Sequence, residues 1–372
     1  MLSRPDECRQ KYQAVLRYLQ GHGLEAVVLT RRQNFAWFTA GGLNHVGLMT
    51  ETGVASLVIT PEKIVCITNN IEAGRLAAEE LEGLGISVRA HDWYDAAAAS
   101  RIWAEELGNR PAAADDSIAA VSRPLPPLAP DFAELRYQLN EAEIARYRTA
   151  AMDTGLAMEA ACRRARPGMT EHEMAALVAV ELTNRDLRAA VILIANEDRI
   201  RRYRHPIPTN AKITQYGMAV CGGERHGLVT SVTRLFSFTP IDADLARRHE
   251  AVCAVDAAMN AATRPGKTLG EIFTVCQQAY AAGGFPDDWK LHHQGGSTGY
   301  RPRDLVAVPG HPARVLENQA FAWNPSITGT KCEDTILVLP DRNEFISVTG
   351  QWPSKPYTAA GQTWPRSEIL KL

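Results

Sequence analysis

Two stretches of the 372-residue chain concentrate residue types that can do chemistry. The segment VILIANEDRIRRYRHPIPTN, residues 191–210, runs from an apolar strand into Arg199, Arg201, Arg202 and Arg204 and then reaches His205-Pro206. Guanidinium groups at that density can gather around a carboxylate or phosphate, and histidine is suited to general-base work near neutral pH. The proline fixes the backbone just after the histidine. A solvated loop with a structural histidine is the alternative. Further on, YRPRD at 300–304 offers Arg301 and Arg303 as a clamp on a substrate carboxylate, or else as a surface pair with Asp304.

The rest of the composition narrows the setting. Forty basic residues against forty-two acidic ones leave a net charge of -2, which excludes the broad basic field of a nucleic-acid or anionic-membrane binder. No run of eighteen apolar residues occurs, and Pro5, Asp6 and Glu7 precede the first apolar stretch, so neither a membrane span nor a classical signal peptide is expected. Cys8, Cys66, Cys162, Cys221, Cys253, Cys276 and Cys332 include no C-x-x-C pair. They read as buried thiols in a reducing cytoplasm.

The elements that must position these residues divide at a proline-rich stretch. Before it, a helix near 6–20 stops at Gly21–Gly23 and leads to a strand over 24–30; apolar runs at 53–60 and 63–69, a helix from 71 to 85 and a strand from 86 follow. Such alternation predicts an α/β (α+β) chain, with helices laid on twisted sheets. SRPLPPLAPD at 122–131 carries four prolines and predicts a boundary, giving domains 1–130 and 131–372. A long helix then begins near Asn140, with Glu143 at the capping-box position.

An internal echo follows: ARPGMTEHEM at 165–174 and TRPGKTLGEI at 263–272. Each places a threonine, Thr170 or Thr268, three residues before Glu173 or Glu271, the pattern of a capping box. Each copy follows one helical segment and precedes another. Two related halves facing each other across a cleft, a natural small-molecule site, would account for the echo. Between the copies, GMAVCGGERHGLVTSVTRLFSF at 217–238 reads as a hairpin with its turn at Gly222-Gly223.

That hairpin resembles the one in the creatinase, prolidase and aminopeptidase P superfamily, whose catalytic domain is called the pita-bread fold. Gly222, Gly227, Thr233 and Arg234 fit the family skeleton, while Val220 and Ser231 stand where it has metal-binding aspartates. His293 in KLHHQGGSTGY looks like the family's metal-binding histidine, with Tyr300 where a second histidine is familiar; AWNPSI puts Asn324 at a glutamate position, and KCEDTILV keeps Glu333. His205 resembles the catalytic histidine preceding the first aspartate. The resemblance covers most of the chain, with RRQNFAWFTAGG and NNIEAGRL similar to the creatinase-type N-terminal domain and 131–372 similar to a pita-bread domain of pseudo-symmetric halves.

The resemblance therefore implies a divergent member with most metal ligands lost. Cys221, His293, Glu333 and Cys332 match no compact zinc spacing, so neither metal nor cofactor is expected. The expected activity is a metal-independent, creatinase-like hydrolysis of a small amide, amidine or guanidino C–N bond. His205, His293 and Glu333 would be catalytic, and Thr233, Asn324, Tyr300 and Arg301 would hold substrate. A small-molecule lyase, a non-catalytic binding or scaffold homologue and a metal-dependent Xaa-Pro aminopeptidase or dipeptidase are the alternatives. A cytoplasmic homodimer acting on a small molecule, without nucleic-acid or membrane partners, completes the expectation.

Overall fold

β1 (Ala26–Arg31) opens the structured core as a run of aliphatic residues with Val27, Val28 and Leu29 fully buried. It follows α1 (Arg4–His22), which Ser3 caps at its start and left-handed Gly23 ends. The structure is a computed structural model and describes residues 2–372. The chain divides into two compact units, one running up to Arg136 and including Glu141–Glu143, the other comprising Tyr137–Asn140 and Ile144–Leu372.

The first unit continues with α2 (Arg32–Phe38), β2 (Thr52–Ile59), β3 (Ile64–Asn69), α3 (Asn70–Arg75), β4 (Ser87–His91), α4 (Ala96–Leu107) and β5 (Ala112–Ala114). Its strands form one five-stranded sheet in the order β4-β3-β2-β1-β5, with parallel pairing at both edges and antiparallel pairing between. The helix expected over 71–85 is shorter than its pattern. After α3 the backbone widens into a π turn over Leu76–Glu80, with Leu81 N–H donating to the Leu76 carbonyl at 2.9 Å.

In the second unit α5 (Glu141–Arg163) leads to α6 (Glu171–Thr183), β6 (Arg188–Asn196) and the short α7 (Glu197–Arg202). β7 (Tyr216–Arg225) and β8 (Leu228–Ser237) form the long hairpin, then α8 (Ala243–Ala262) and α9 (Leu269–Ala282) follow. The remaining strands are β9 (Gly295–Thr298), β10 (Leu305–Val306), β11 (Gln319–Trp323), β12 (Ser326–Ile327), β13 (Thr330–Lys331), β14 (Asp334–Val338), β15 (Asn343–Phe345), β16 (Ser354–Ala359), β17 (Gln362–Ser367) and β18 (Leu370–Lys371). One sheet runs β18-β8-β7-β6 and another β10-β9-β11-β14-β15. The whole is an α+β architecture, and among the described residues no helix is long and apolar enough to cross a membrane.

The two echoed segments build the same local structure. Thr170 caps α6 and Thr268 caps α9, each in a full capping box with Glu173 or Glu271. Gly168 N–H bonds the Ile213 carbonyl at 2.8 Å, and Gly266 N–H bonds the Val315 carbonyl at 2.9 Å. The hairpin turn differs from the Gly222-Gly223 expectation: it lies at His226-Gly227, both with positive φ. Gly222 and Gly223 are strand residues, and a Cβ on Gly223 would lie 2.3 Å from Thr154 Oγ1, so this glycine admits the close approach of α5.

The two larger sheets meet where β8 lies against β14. Ser231 N–H donates to Thr335 Oγ1 at 3.0 Å, Thr335 Oγ1 donates to the Ser231 carbonyl at 3.0 Å, and Thr233 N–H donates to the Glu333 carbonyl at 3.1 Å. Separate apolar clusters support the sheets, one including Phe236, Val232, Met158 and Val178 and the other Trp323, Phe321, Ile336 and Ile272. Each fully buried aliphatic or aromatic side chain stabilises by roughly 1.5–3 kcal/mol, enough for these cores to dictate where the sheet ends fall.

Candidate metal centre

Three histidines converge beside that junction. Ligand atoms of His205, His292 and His293 all lie within 4.8 Å of one another. His205 Nε2 stands 3.0 Å from His292 Nε2, and the ring centroids are separated by 4.8 Å for His205–His292, 5.6 Å for His205–His293 and 4.5 Å for His292–His293.

Local structure fixes each ring. His205 follows α7 on a loop pinned on both sides: Arg204 donates to Thr328 Oγ1 at 3.0 Å, and Arg199 donates to the Ile207 carbonyl at 3.0 and 3.1 Å. Arg199 is itself paired with the fully buried Glu171. The other two histidines sit between a single 3-10 turn, Asp288–Leu291, and β9. Buried Gln294 anchors that passage through Nε2 to the Trp289 and His292 carbonyls, and its Oε1 accepts from Tyr280 at 2.7 Å. Gly295, with φ of 96°, lets the strand turn in; a Cβ there would lie 2.2 Å from the Ala322 carbonyl oxygen.

The electrostatics favour neutral rings. Burial and the Lys331 charge lower the pKa of His205 and push His292 far down, while burial with Arg303 and Lys331 lowers His293 to about 4. His205 and His293 retain exposed edges, yet the protein around them still removes enough water to disfavour the imidazolium. Neutral imidazole is the metal-binding form.

Three imidazole nitrogens are the donor types of a single transition-metal ion, and one pair already stands at coordination distance. Two nitrogens on a tetrahedral zinc are about 3.3 Å apart, close to the His205–His292 separation, and three protein ligands leave a position open for chemistry. His292 presents Nε2 to His205, while its Nδ1 is buried without a hydrogen-bond partner.

Glu333, the carboxylate on the same wall, is engaged elsewhere. Its Oε1 accepts from Arg303 at 3.0 Å, and its Oε2 accepts from Thr233 Oγ1 at 2.7 Å and Lys331 Nζ at 3.0 Å. Burial pushes its pKa up, but Lys331 and Arg303 outweigh burial and hold it at about 2. Glu333 is therefore a fixed anion. Asn324 is buried behind β11, donating its backbone N–H to the Gln294 carbonyl at 3.1 Å, with Oδ1 lacking a hydrogen-bond partner.

Of the residues picked out in the sequence, the structure brings His205 and His293 together and sets Glu333 against Thr233. Tyr300 and Arg301 lie on the turn between β9 and β10, Tyr300 buried, with the Arg301 carbonyl accepting from Thr298 Oγ1 at 3.1 Å. The arginines of 199–204 do not form one anion site: Arg199 goes to Glu171, Arg201 faces Asp242 at 3.8 Å and Arg204 faces Asp288 at 3.7 Å. His292, Lys331 and Arg303 are the site groups that residue-type reasoning passed over or placed differently. The adjacent H-H pair in KLHHQGG was the available signal.

This cluster corrects two expectations. The divergence read as loss of most metal ligands counted His293 and Glu333 as the survivors, whereas folding brings His205 and His292 beside His293 in a three-nitrogen donor set. The metal-independent, creatinase-like hydrolase inferred from that loss falls with it. That reading rested on the carboxylate positions held by Val220, Ser231 and Asn324, whereas the groups suited to hold an ion are neutral imidazoles.

Comparisons with known proteins bear on the fold and the family. The structure superposes on dipeptidase PepE from Mycobacterium ulcerans with a TM-score of 0.75 at 20% identity, covering 92% of this chain and 96% of that one. It matches the prolidase from Pyrococcus horikoshii OT3 with a TM-score of 0.78 at 16% identity, covering 91% and 98%. For an Xaa-Pro dipeptidase from Bacillus anthracis the values are 0.77 and 17%, covering 98% and 100%. At these identities the likeness is one of fold. No curated protein sequence matches. Residues 145–340, more than half of the chain and the whole span holding the histidines and Glu333, match a family profile, and the chain belongs to metallopeptidase family M24.

Proposed function

We propose that this chain is a metal-dependent hydrolase of a small peptide or amide C–N bond, with dipeptides of the Xaa-Pro type as the first substrates to consider. The observation that carries the reading is the convergence of His205, His292 and His293, all held neutral by their surroundings. Family membership and the names of its structural relatives, dipeptidase, prolidase and Xaa-Pro dipeptidase, support the substrate class.

A divalent ion on these nitrogens would supply a Lewis acid and acidify water at neutral pH. In this reading His205 and His293 are ligands rather than proton carriers, joined by His292. Glu333, fixed as an anion, orients Lys331 and Arg303 and keeps the wall of the site polar. Asn324 Oδ1 is free to accept from a substrate N–H, Thr233 holds Glu333, and Tyr300 and Arg301 are proposed substrate contacts at the rim.

We further propose that 1–130 is a creatinase-like N-terminal domain and 131–372 the pita-bread domain. The paired capping boxes at Thr170 and Thr268 support an origin of the latter in two pseudo-symmetric halves. A homodimer acting on a small molecule in the cytoplasm is proposed as well, the compartment supported by seven buried free thiols.

The test is hydrolysis of a panel of proline and non-proline dipeptides by the purified chain supplied with Mn(II), Co(II) or Zn(II). Amino-acid release that a chelator abolishes and the restored ion recovers is expected. Absence of release from any dipeptide by protein shown to carry the ion would overturn the hydrolase reading.

A further inference from the structure

We propose that Arg303 and Lys331 limit the centre to one divalent ion by acting as built-in counter-cations of Glu333. The inference rests on the metal-dependent reading above and concerns the carboxylate beside the histidines. A buried carboxylate near enough to interact electrostatically with His205 and His293 is the natural oxygen ligand for an ion, or the seed of a second site. Here its capacity is spent. Arg303 and Thr233 donate one hydrogen bond each, and Lys331 adds a third contact within 3.0 Å, so three of about four lone-pair positions are filled.

The neighbouring oxygens are committed as well. Ser231 Oγ accepts from the Arg303 guanidinium at 3.2 Å, which thereby spans Ser231 and Glu333 with one planar cation. Thr233 contributes its hydroxyl hydrogen to Glu333, and Asn324 offers only a neutral amide oxygen. Lys331 and Glu333 are each about 3% exposed and the Arg303 side chain 14%, so an ion arriving at Glu333 would meet one buried and one largely buried positive charge with little water to screen them. The same two charges reach the histidines and help to keep them neutral, but neither cation donates a hydrogen bond to an imidazole nitrogen as both do to Glu333, so the ring lone pairs stay available and the ion is confined to them.

The unmodified full-length chain, stripped with chelator and titrated with Co(II), is counted by native mass spectrometry and elemental analysis. One Co(II) per chain is expected. R303M/K331M, which releases Glu333, is expected to take a second Co(II) or to bind the first about tenfold tighter or more, the scale on which groups around a metal tune its affinity. Two ions on the unmodified chain would overturn the inference and leave the metal-dependent reading standing; none would overturn both. A folded R303M/K331M chain unchanged in count and affinity would also overturn it, and the count on the unmodified chain decides the matter if that variant does not fold.

Discussion

His205 Nε2 and His292 Nε2 lie 3.0 Å apart although 87 residues separate them in the chain. Two neutral imidazole nitrogens at that distance either share a single proton or face a common cation, and His293 completes a three-nitrogen rim around the second arrangement. Replacing either partner should therefore be felt as lost metal, not only as lost packing. H292A is expected to weaken Zn(II) or Co(II) binding by about 100-fold or more, measured against a competing chromophoric chelator. An affinity unchanged in folded H292A would contradict the assignment of this ring as a ligand.

The support behind the ring should matter too. Tyr280 Oη donates to Gln294 Oε1 at 2.7 Å and accepts from the Ser326 N–H at 2.9 Å, and Gln294 in turn holds the His292 carbonyl. Y280F strands two buried polar partners, a cost of about 1–3 kcal/mol. It is expected to weaken metal binding by roughly tenfold because the histidine passage loosens. Urea unfolding with and without Zn(II) separates the two effects: a purely structural tyrosine would lower both curves equally.

A different group of charges should carry stability without touching metal. Asp334, fully buried, binds Arg234 at 3.0 Å through one oxygen and Arg366 at 2.7 Å through the other, and Arg366 also meets Asp256 at 2.6 Å. D334N leaves two buried guanidiniums short of a counter-charge, and a loss of about 3–5 kcal/mol is expected from denaturant titration. A loss below about 1 kcal/mol would show that the network is not a coupled unit.

Acid should act in two windows on metal-free protein. Folded His293 has its pKa lowered from 6.5 to about 4, and His205 and His292 are lowered in the same direction, all chiefly by burial. The unfolded chain binds protons there that the folded one refuses, so stability is complete above about pH 6.5 and falls toward pH 4. Glu333, held at about 2 against an ordinary 4.5, contributes stability above pH 4.5 that is lost as pH falls from 4.5 toward 2. Urea midpoints from pH 8 to 3 should show both declines, with the upper one reduced in H293Q. A midpoint constant between pH 6.5 and 4 would contradict the burial argument.

Much of this framework was legible in the sequence. The two R-P-G-x-T segments gave their helix starts because a capping box is a local device, settled within four residues. The β7–β8 hairpin was legible for the same reason, except that Gly222 and Gly223 looked like a turn when Gly223 serves the approach of Thr154 on a distant helix. The centre was harder to read. His205 and His293 stood out one at a time, but nothing local shows that His292 turns toward His205, 87 residues away, or that Arg303 reaches Glu333 across 30 residues to join Lys331 there. Counting carboxylates at family positions therefore undercounted the nitrogen ligands.

Everything proposed for this chain's chemistry turns on a metal ion held by the three histidines. Anomalous diffraction at the zinc edge from crystals of the full chain soaked in Zn(II) tests it most directly. One strong peak bounded by the ring nitrogens of His205, His292 and His293 is expected. A histidine rim without a peak, or a peak at Glu333 with the three rings turned away from it, would contradict it.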